Sequence, residues 1–183
     1  PQVTGDDGFR QPYGGSDEYV SWEVENTNEQ NIHYLHGALH IFDAGHEVQK
    51  YTWSNTQIAL IDQIRDALIH HKYPLFVSEG TSESKLDRIQ HSSYLGRAYR
   101  SFANCQHGLV IYGLAMAEND EHILRLLDRG KCTHICIGLY GDPTSEGNRR
   151  IICRASRFGS GRKGTAPSLV FFDAASAQVW GAA

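Results

Sequence analysis

The stretch from Gly108 to Tyr140, "GLVIYGLAMAENDEHILRLLDRGKCTHICIGLY", decides the fold. Its two ends are continuous apolar runs, "GLVIYGL" over 108–114 and "THICIGLY" over 133–140. Each is short, and neither alternates apolar with polar residues, so both read as buried strands. The intervening "ENDEHILRLLDRG" reads as a compact helix. Glu118, Asp120 and Glu121 suit the positive end of its dipole, and Gly130 suits its C-terminal cap. A strand, a helix and a second strand in that order make a parallel crossover unit.

The same alternation continues outward. "LFVS" (75–78) and "SLVFFD" (168–173) read as further buried strands, while "NIHYLHG" and "ALHIF" read as two short strands or one bent at Gly37. "SNTQIALIDQIRDALIHHKY" predicts a helix over about 55–71. Ser54 and Gln57 have capping-box spacing there, and Ile58, Ile61, Ile64, Leu68 and Ile69 form an apolar stripe. "SESKLDRIQHSSYLGRAYRSFANC" predicts one broken helix or two, with Leu86, Ile89, Leu95, Ala98, Tyr99 and Phe102 facing inward. Asp142 and Pro143 read as the N-cap and first residue of another helix. The expected fold class is therefore α/β: a three-layer, Rossmann-like, mostly parallel sheet covered on both faces. Residues 1–30 carry turn chemistry and predict an irregular lead-in, and residues 31–183 predict one domain.

Composition narrows the function. The chain has 183 residues, 17 basic against 21 acidic, for a net charge of −4. That balance gives no electrostatic case for nucleic acid or an anionic membrane as partner. No apolar run approaches the roughly 18–20 residues that span a bilayer. Cys105, Cys132, Cys136 and Cys153 show no Cys-x-x-Cys spacing. Cys132 and Cys136, at even spacing in an apolar run, read as core residues on one strand face of a reduced, cytoplasmic protein.

Several motifs bear on chemistry. His33, His36 and His40 fall within one apolar run. On a helix they would share a face and suit a metal. On a strand His33 and His36 point oppositely, and no His-Glu-x-x-His accompanies them, so no metal is expected. The default for any one of these histidines is a structural or surface role, with metal-dependent hydrolysis through all three as an alternative; the remaining chemical role is a general base, and His36 is its candidate because Gly37 lets a ligand approach closely. "GSGRKG" (159–164) matches a dinucleotide fingerprint as a string, but it follows a predicted helix and precedes a strand. It therefore reads as a surface loop, with Arg162 or Lys163 as the alternative phosphate contacts. Asp120, Glu121 and His122 read as a solvated first helical turn, with a catalytic cluster as the alternative. Glu79 and Lys85 are candidates for a ribose hydroxyl and a phosphate, with a simple N-cap loop an equally good reading of the segment. Parallel sheets hold ligands beyond the carboxyl ends of their strands. That singles out the loops at Gly37, 78–80, 113–116 and 140–142 before any motif is invoked.

"YLHGALH", followed by "GLVIYGLAMAENDEHI", resembles the sirtuin-like NAD-binding domain, in particular that of bacterial uncharacterised proteins related to the NAD hydrolases of antiphage defence. "YPLFVSEGTSESKLDRI" and "VFFDAASAQVW" extend the likeness over roughly residues 31–180. The resemblance implies hydrolysis of NAD to nicotinamide and ADP-ribose, with His36 as catalytic base. It implies Gly37, Gly113, Leu114 and Ala115 against the nucleotide, and Tyr140 and Gly141 on the adenosine side. The family's Gly-Ala-Gly phosphate loop and Asn-Asp motif, which precede the histidine, are missing here. The resemblance therefore implies the C-terminal portion of a longer protein, inactive alone and prone to pair with a second copy through exposed apolar surface. The loop at 113–116 lacks a frequent family hydroxyl, which keeps a non-catalytic nucleotide-binding or sensing module open as the alternative. The zinc module of deacetylating sirtuins is absent as well.

Overall fold

The computed structural model describes residues 4–12, 18–22, 29–179 and 181. The chain divides into two compact units, one of residues 1–79 with 87–98 and one of 80–86 with 99–183.

The first unit is built on a five-stranded antiparallel sheet. Its strands are β1 (Phe9–Arg10), β2 (Tyr19–Trp22), β3 (Gly37–Asp43), β4 (Val48–Tyr51) and β5 (Pro74–Phe76), in the order β1-β2-β4-β3-β5. The described part of the expected irregular lead-in thus supplies two strands. It is pinned by polar contacts, since Asp6 N donates to Asn31 Oδ1 at 2.7 Å and Asn31 Nδ2 donates to Thr4 O at 2.9 Å. The turn "DAGHE" joins β3 to β4, with Gly45 at φ +85° and its N–H donated to Asp43 Oδ1 at 2.8 Å. So short a connection permits only an antiparallel pair. The mostly parallel sheet expected throughout is corrected here: β3, β4 and β5 pair antiparallel.

The core of this unit gathers Ile41, Phe42, Val77, Ile89, Leu95 and Ala98 with a cluster of rings. Tyr94 is 1% exposed, and the rings of Phe9 and Trp22 each lie 5.3 Å from it. Such tilted and edge-on contacts add to the burial of apolar area. The helix expected over 55–71 breaks in two, α1 (Trp53–Thr56) and α2 (Leu60–Ile69). Gln57 ends α1 in the left-handed region and donates its side-chain amide back to Ser54 O, so the capping box does not form. Only Ile64 and Ala67 of α2 are buried, whereas Ile58, Ile61, Leu68 and Ile69 are exposed.

The second unit holds a three-stranded parallel sheet, β6 (Gln106–Ile111), β7 (Lys131–Leu139) and β8 (Ser168–Asp173), in that order. Helix α5 (Glu121–Arg129) crosses from β6 to β7, and α6 (Glu146–Ala155) from β7 to β8. Both pack on one face of the sheet: Leu124, Leu127 and Ala155 share a cluster with Ile111, Ile135, Ile137 and Leu139. The alternate residues Val110 and Val170 remain 66% and 52% exposed on the other face. The crossover unit read from the sequence is therefore present, with one covered face.

Helices α3 (Ser82–His91) and α4 (Ser93–Ala103) answer the expected broken helix. Cys132 joins the core while Cys136 does not. The register shifts after His107, which pairs with Cys132, and Gly108 pairs with His134, so Thr133 is an extra residue. A bulge reverses the alternation of faces, which is why even spacing failed to place the two cysteines together. All four cysteines are free thiols. Among the described residues no helix is long and apolar enough to cross a membrane.

Candidate functional site

In the second unit a cleft of about 970 Å³ opens at the carboxyl ends of β6 and β7. It is lined by the loop after β6 (Ala115 to Asn119), by Tyr140 after β7, and by the first turns of α6. A smaller hollow of about 320 Å³, reaching Tyr112, Gly113, Leu114 and Gly138, shares Ala115, Tyr140, Asn148 and Ile151 with it. Gly113, Leu114, Ala115 and Tyr140, expected at the nucleotide, are thus brought together, and Gly141 follows Tyr140 directly. Gly113 and Gly141 have φ of +70° and +72°, and an added Cβ at either would meet nothing within 4 Å. These glycines are needed for backbone conformation, and they leave the hollow open.

Asn148 builds the loop after β7. It is 5% exposed, and its side-chain amide donates to Tyr140 O at 3.0 Å and Asp142 O at 2.8 Å. Asp142 is not the N-cap of α6. Its carboxylate accepts from Thr144 N and Thr144 Oγ1, both at 2.8 Å, and these bonds hold its carboxyl below the usual range. The cap is Ser145, whose Oγ accepts from Asn148 N at 3.4 Å. A loop closed by Asp142 upon Thr144 postpones the helix by one turn. Tyr140 is left 82% exposed at the rim of the cleft.

The floor of the cleft is an ion-pair network. Arg154 donates from Nε to Glu121 Oε1 at 2.6 Å and from its terminal nitrogens to Asp128 at 2.9 and 3.0 Å. The hydrogen bond from Arg154 holds the Glu121 carboxyl below its ordinary value, against the opposing effect of burial. Arg150, paired with Glu146, and Arg157 line the outer part. Among the described lining residues none is a histidine.

The expected solvated turn at 120–122 is corrected. His122 is 2% exposed. Its N–H donates to Ser82 Oγ at 2.7 Å, and its Nδ1 lies 3.4 Å from the same oxygen. Lys85, a candidate for a phosphate contact, is 3% exposed and paired with Asp120 at 3.1 Å. Tyr99 donates to His122 O at 3.0 Å. These bonds tie α3 and α4 to the start of α5, so the cluster is structural.

His36 and Gly37 belong to the first unit. The carbonyl of His36 accepts from Val77 N at 2.8 Å. Gly37 has φ +73°, and a Cβ there would lie 1.8 Å from Leu75 O. Its glycine character is therefore required by the backbone of the neighbouring strand. His33 and His40 are half-buried, and burial lowers both imidazoles below their usual value, helped by Arg97 and Lys50 respectively. Among the described residues no three His, Cys, Asp or Glu side chains are gathered to hold a metal. Glu79 is exposed in the first unit. The residues that sequence reasoning missed at the cleft are Asn148, Ser145 and Arg154. Only the Ser-x-x-Asn spacing of the first two carried a local signal.

The chain is of the α/β class, and its second unit carries a cleft at the carboxyl ends of a parallel sheet. The chain belongs to the DUF4917 family, a domain of unknown function, whose model matches residues 2–180. No curated protein and no solved structure matches it.

Proposed function

We propose that this chain is the nucleotide-binding part of an NAD hydrolase-like protein and binds NAD, or its ADP-ribose portion, in the cleft of the second unit. The observation that carries the reading is the convergence of Gly113, Leu114, Ala115 and Tyr140 on one hollow at the carboxyl strand ends. Such ends are where open α/β sheets hold nucleotides. The main-chain amides at 113–115 supply donors, the first turn of α6 a positive dipole end, and Tyr140 a face on which a base stacks. The finer, Rossmann-like reading of the fold and the roles of Gly37 and Gly141 stand with this proposal.

In the reaction, the bond between the ribose C1′ and the nicotinamide nitrogen breaks, and its electron pair leaves with nicotinamide. Water oxygen bonds to C1′ and gives up its proton to solvent or to a general base, the role that the family resemblance implies for His36 of the first unit. A binding module that holds NAD without cleaving it is the second reading. It is favoured by the lack of a hydroxyl at 113–116. The test is nicotinamide release from NAD by the full-length protein beside its His36→Ala variant, with ADP-ribose binding measured in parallel. Release lost in the variant supports hydrolysis, and binding without release supports the module. Absence of both refutes the proposal.

A further inference from the structure

A second hollow lies at the opposite end of the same parallel sheet. It encloses about 480 Å³ and is lined by Arg129, Gly130, Lys131, Thr133, Arg162, Lys163, Gly164 and Thr165. Four of these eight residues are cations and none is an acid, in a chain whose net charge is −4. The acid that precedes Arg129 in α5, Asp128, gives its carboxylate to Arg154.

The hollow has a fixed wall. Arg162 donates from one terminal nitrogen to Gly130 O at 2.9 Å and Cys132 O at 2.8 Å, and from the other to Thr165 O. Gly159 N and Gly161 N donate to Leu127 O and Asp128 O at 3.2 and 2.9 Å, docking the glycine-rich loop on the end of α5. Part of the positive charge complements the negative end of that helix. None of Lys131, Lys163 and Arg129 has an ion-pair partner among the described residues. Cations of like sign around one hollow repel each other, and an anion placed among them relieves that repulsion.

We infer that this hollow, framed by Arg129, Lys131, Arg162 and Lys163 at the amino ends of the strands, is a binding site for the phosphate chain of a polyphosphate. A single phosphate carries only about two negative charges, whereas a di- or triphosphate carries about three to four, which matches the four cations. Thr133, whose hydroxyl donates to His107 O at 3.0 Å, Thr165 and the open backbone at Gly164 complete the lining. The chain of phosphates comes from a nucleoside triphosphate or from an inorganic polyphosphate, and the chemistry at the hollow is shared.

The experiment is calorimetric titration of the chain with tripolyphosphate at low salt. It is repeated on Lys131→Ala/Lys163→Ala and on Arg150→Ala, which removes an exposed cation from the cleft at the far end of the sheet. The wild type binds, the double lysine variant binds about tenfold or more weakly, and Arg150→Ala binds as the wild type does. Both lysines are exposed, so unchanged circular dichroism accompanies the loss. Tighter binding of ATP than of tripolyphosphate identifies a nucleotide as the source, and equal binding identifies the phosphate chain alone. No binding by the wild type at millimolar tripolyphosphate, affinity unchanged in the double lysine variant, or loss of affinity in Arg150→Ala overturns the assignment. Failure of NAD to bind leaves it untouched, since the two sites lie at opposite strand ends.

Discussion

Gly37→Ala separates two accounts of the "HisGly" pair: a glycine kept for a ligand, and a glycine kept for the neighbouring strand. A Cβ at residue 37 would lie 1.8 Å from Leu75 O, about 1.2 Å nearer than real Cβ atoms approach a heavy atom. The atom it meets is backbone, so no side chain can rotate away. The φ of +73° adds the left-handed penalty of a non-glycine residue, roughly 1–2 kcal/mol. Relieving the clash pulls β5 from β3. It breaks the 2.8 Å bond from Val77 N to His36 O and the pairing of Gly37 with Phe76, at about 1 kcal/mol for each hydrogen bond lost. The total is about 3–5 kcal/mol, near the upper end for single substitutions. With a urea slope of about 2 kcal/mol/M, the midpoint falls by about 2 M. Tryptophan fluorescence in a Trp180→Phe background is the assay, because the remaining Trp22 and Trp53 both lie in the first unit. A midpoint within about 0.3 M of the parent's would refute the reasoning, because the clash and the lost bonds would then be absent.

Four further outcomes follow from the packing. Arg154→Met leaves Glu121 and Asp128 without their shared cation and costs about 3–5 kcal/mol, read by urea unfolding at pH 7. Because Arg154 depresses the folded pKa of Glu121, that stability is present above the unfolded carboxyl value of about 4.3 and is lost as pH falls through the folded one. The slope of the midpoint below pH 5 therefore flattens in the variant. Half-buried His33 and His40 also have depressed values. Their contribution to the first unit is full above about pH 6.5 and declines as pH falls through the folded values, so the Trp22 midpoint drops from pH 7 to 5.5, and less steeply in His33→Asn/His40→Asn. Ser82→Ala removes the acceptor of the His122 N–H and lowers stability by about 1–2 kcal/mol, measured by urea unfolding of the second unit with circular dichroism. Asn148→Ser releases Tyr140 O and Asp142 O and weakens ADP-ribose binding about tenfold by calorimetry, with equal affinity counting against the cleft as the site.

Local pattern by itself determined the elements that are bounded by their own chemistry. The apolar runs at 108–111, 133–139 and 168–173 became β6, β7 and β8, and the acidic first turn with its apolar stripe became α5. Their succession already demanded crossovers and hence a parallel sheet, because a helix between two strands returns the chain to the same end. That placed Gly113, Leu114, Ala115 and Tyr140 at carboxyl strand ends, where they do converge. Tertiary structure alone decided what depends on partners distant in sequence. His122 is buried because Ser82, forty residues earlier, accepts its N–H. Gly37 is required because β5 passes against it. Of the five antiparallel strands, β3 and β5 were legible as apolar runs, but β1, β2 and β4 were hidden because they have only two to four residues and become strands through pairing. The open face at Val110 and Val170 was equally hidden, since an apolar residue in a sequence records suitability for burial and not which element covers it. Periodicity is written along the chain; the identity of the neighbour is fixed only when the chain closes on itself.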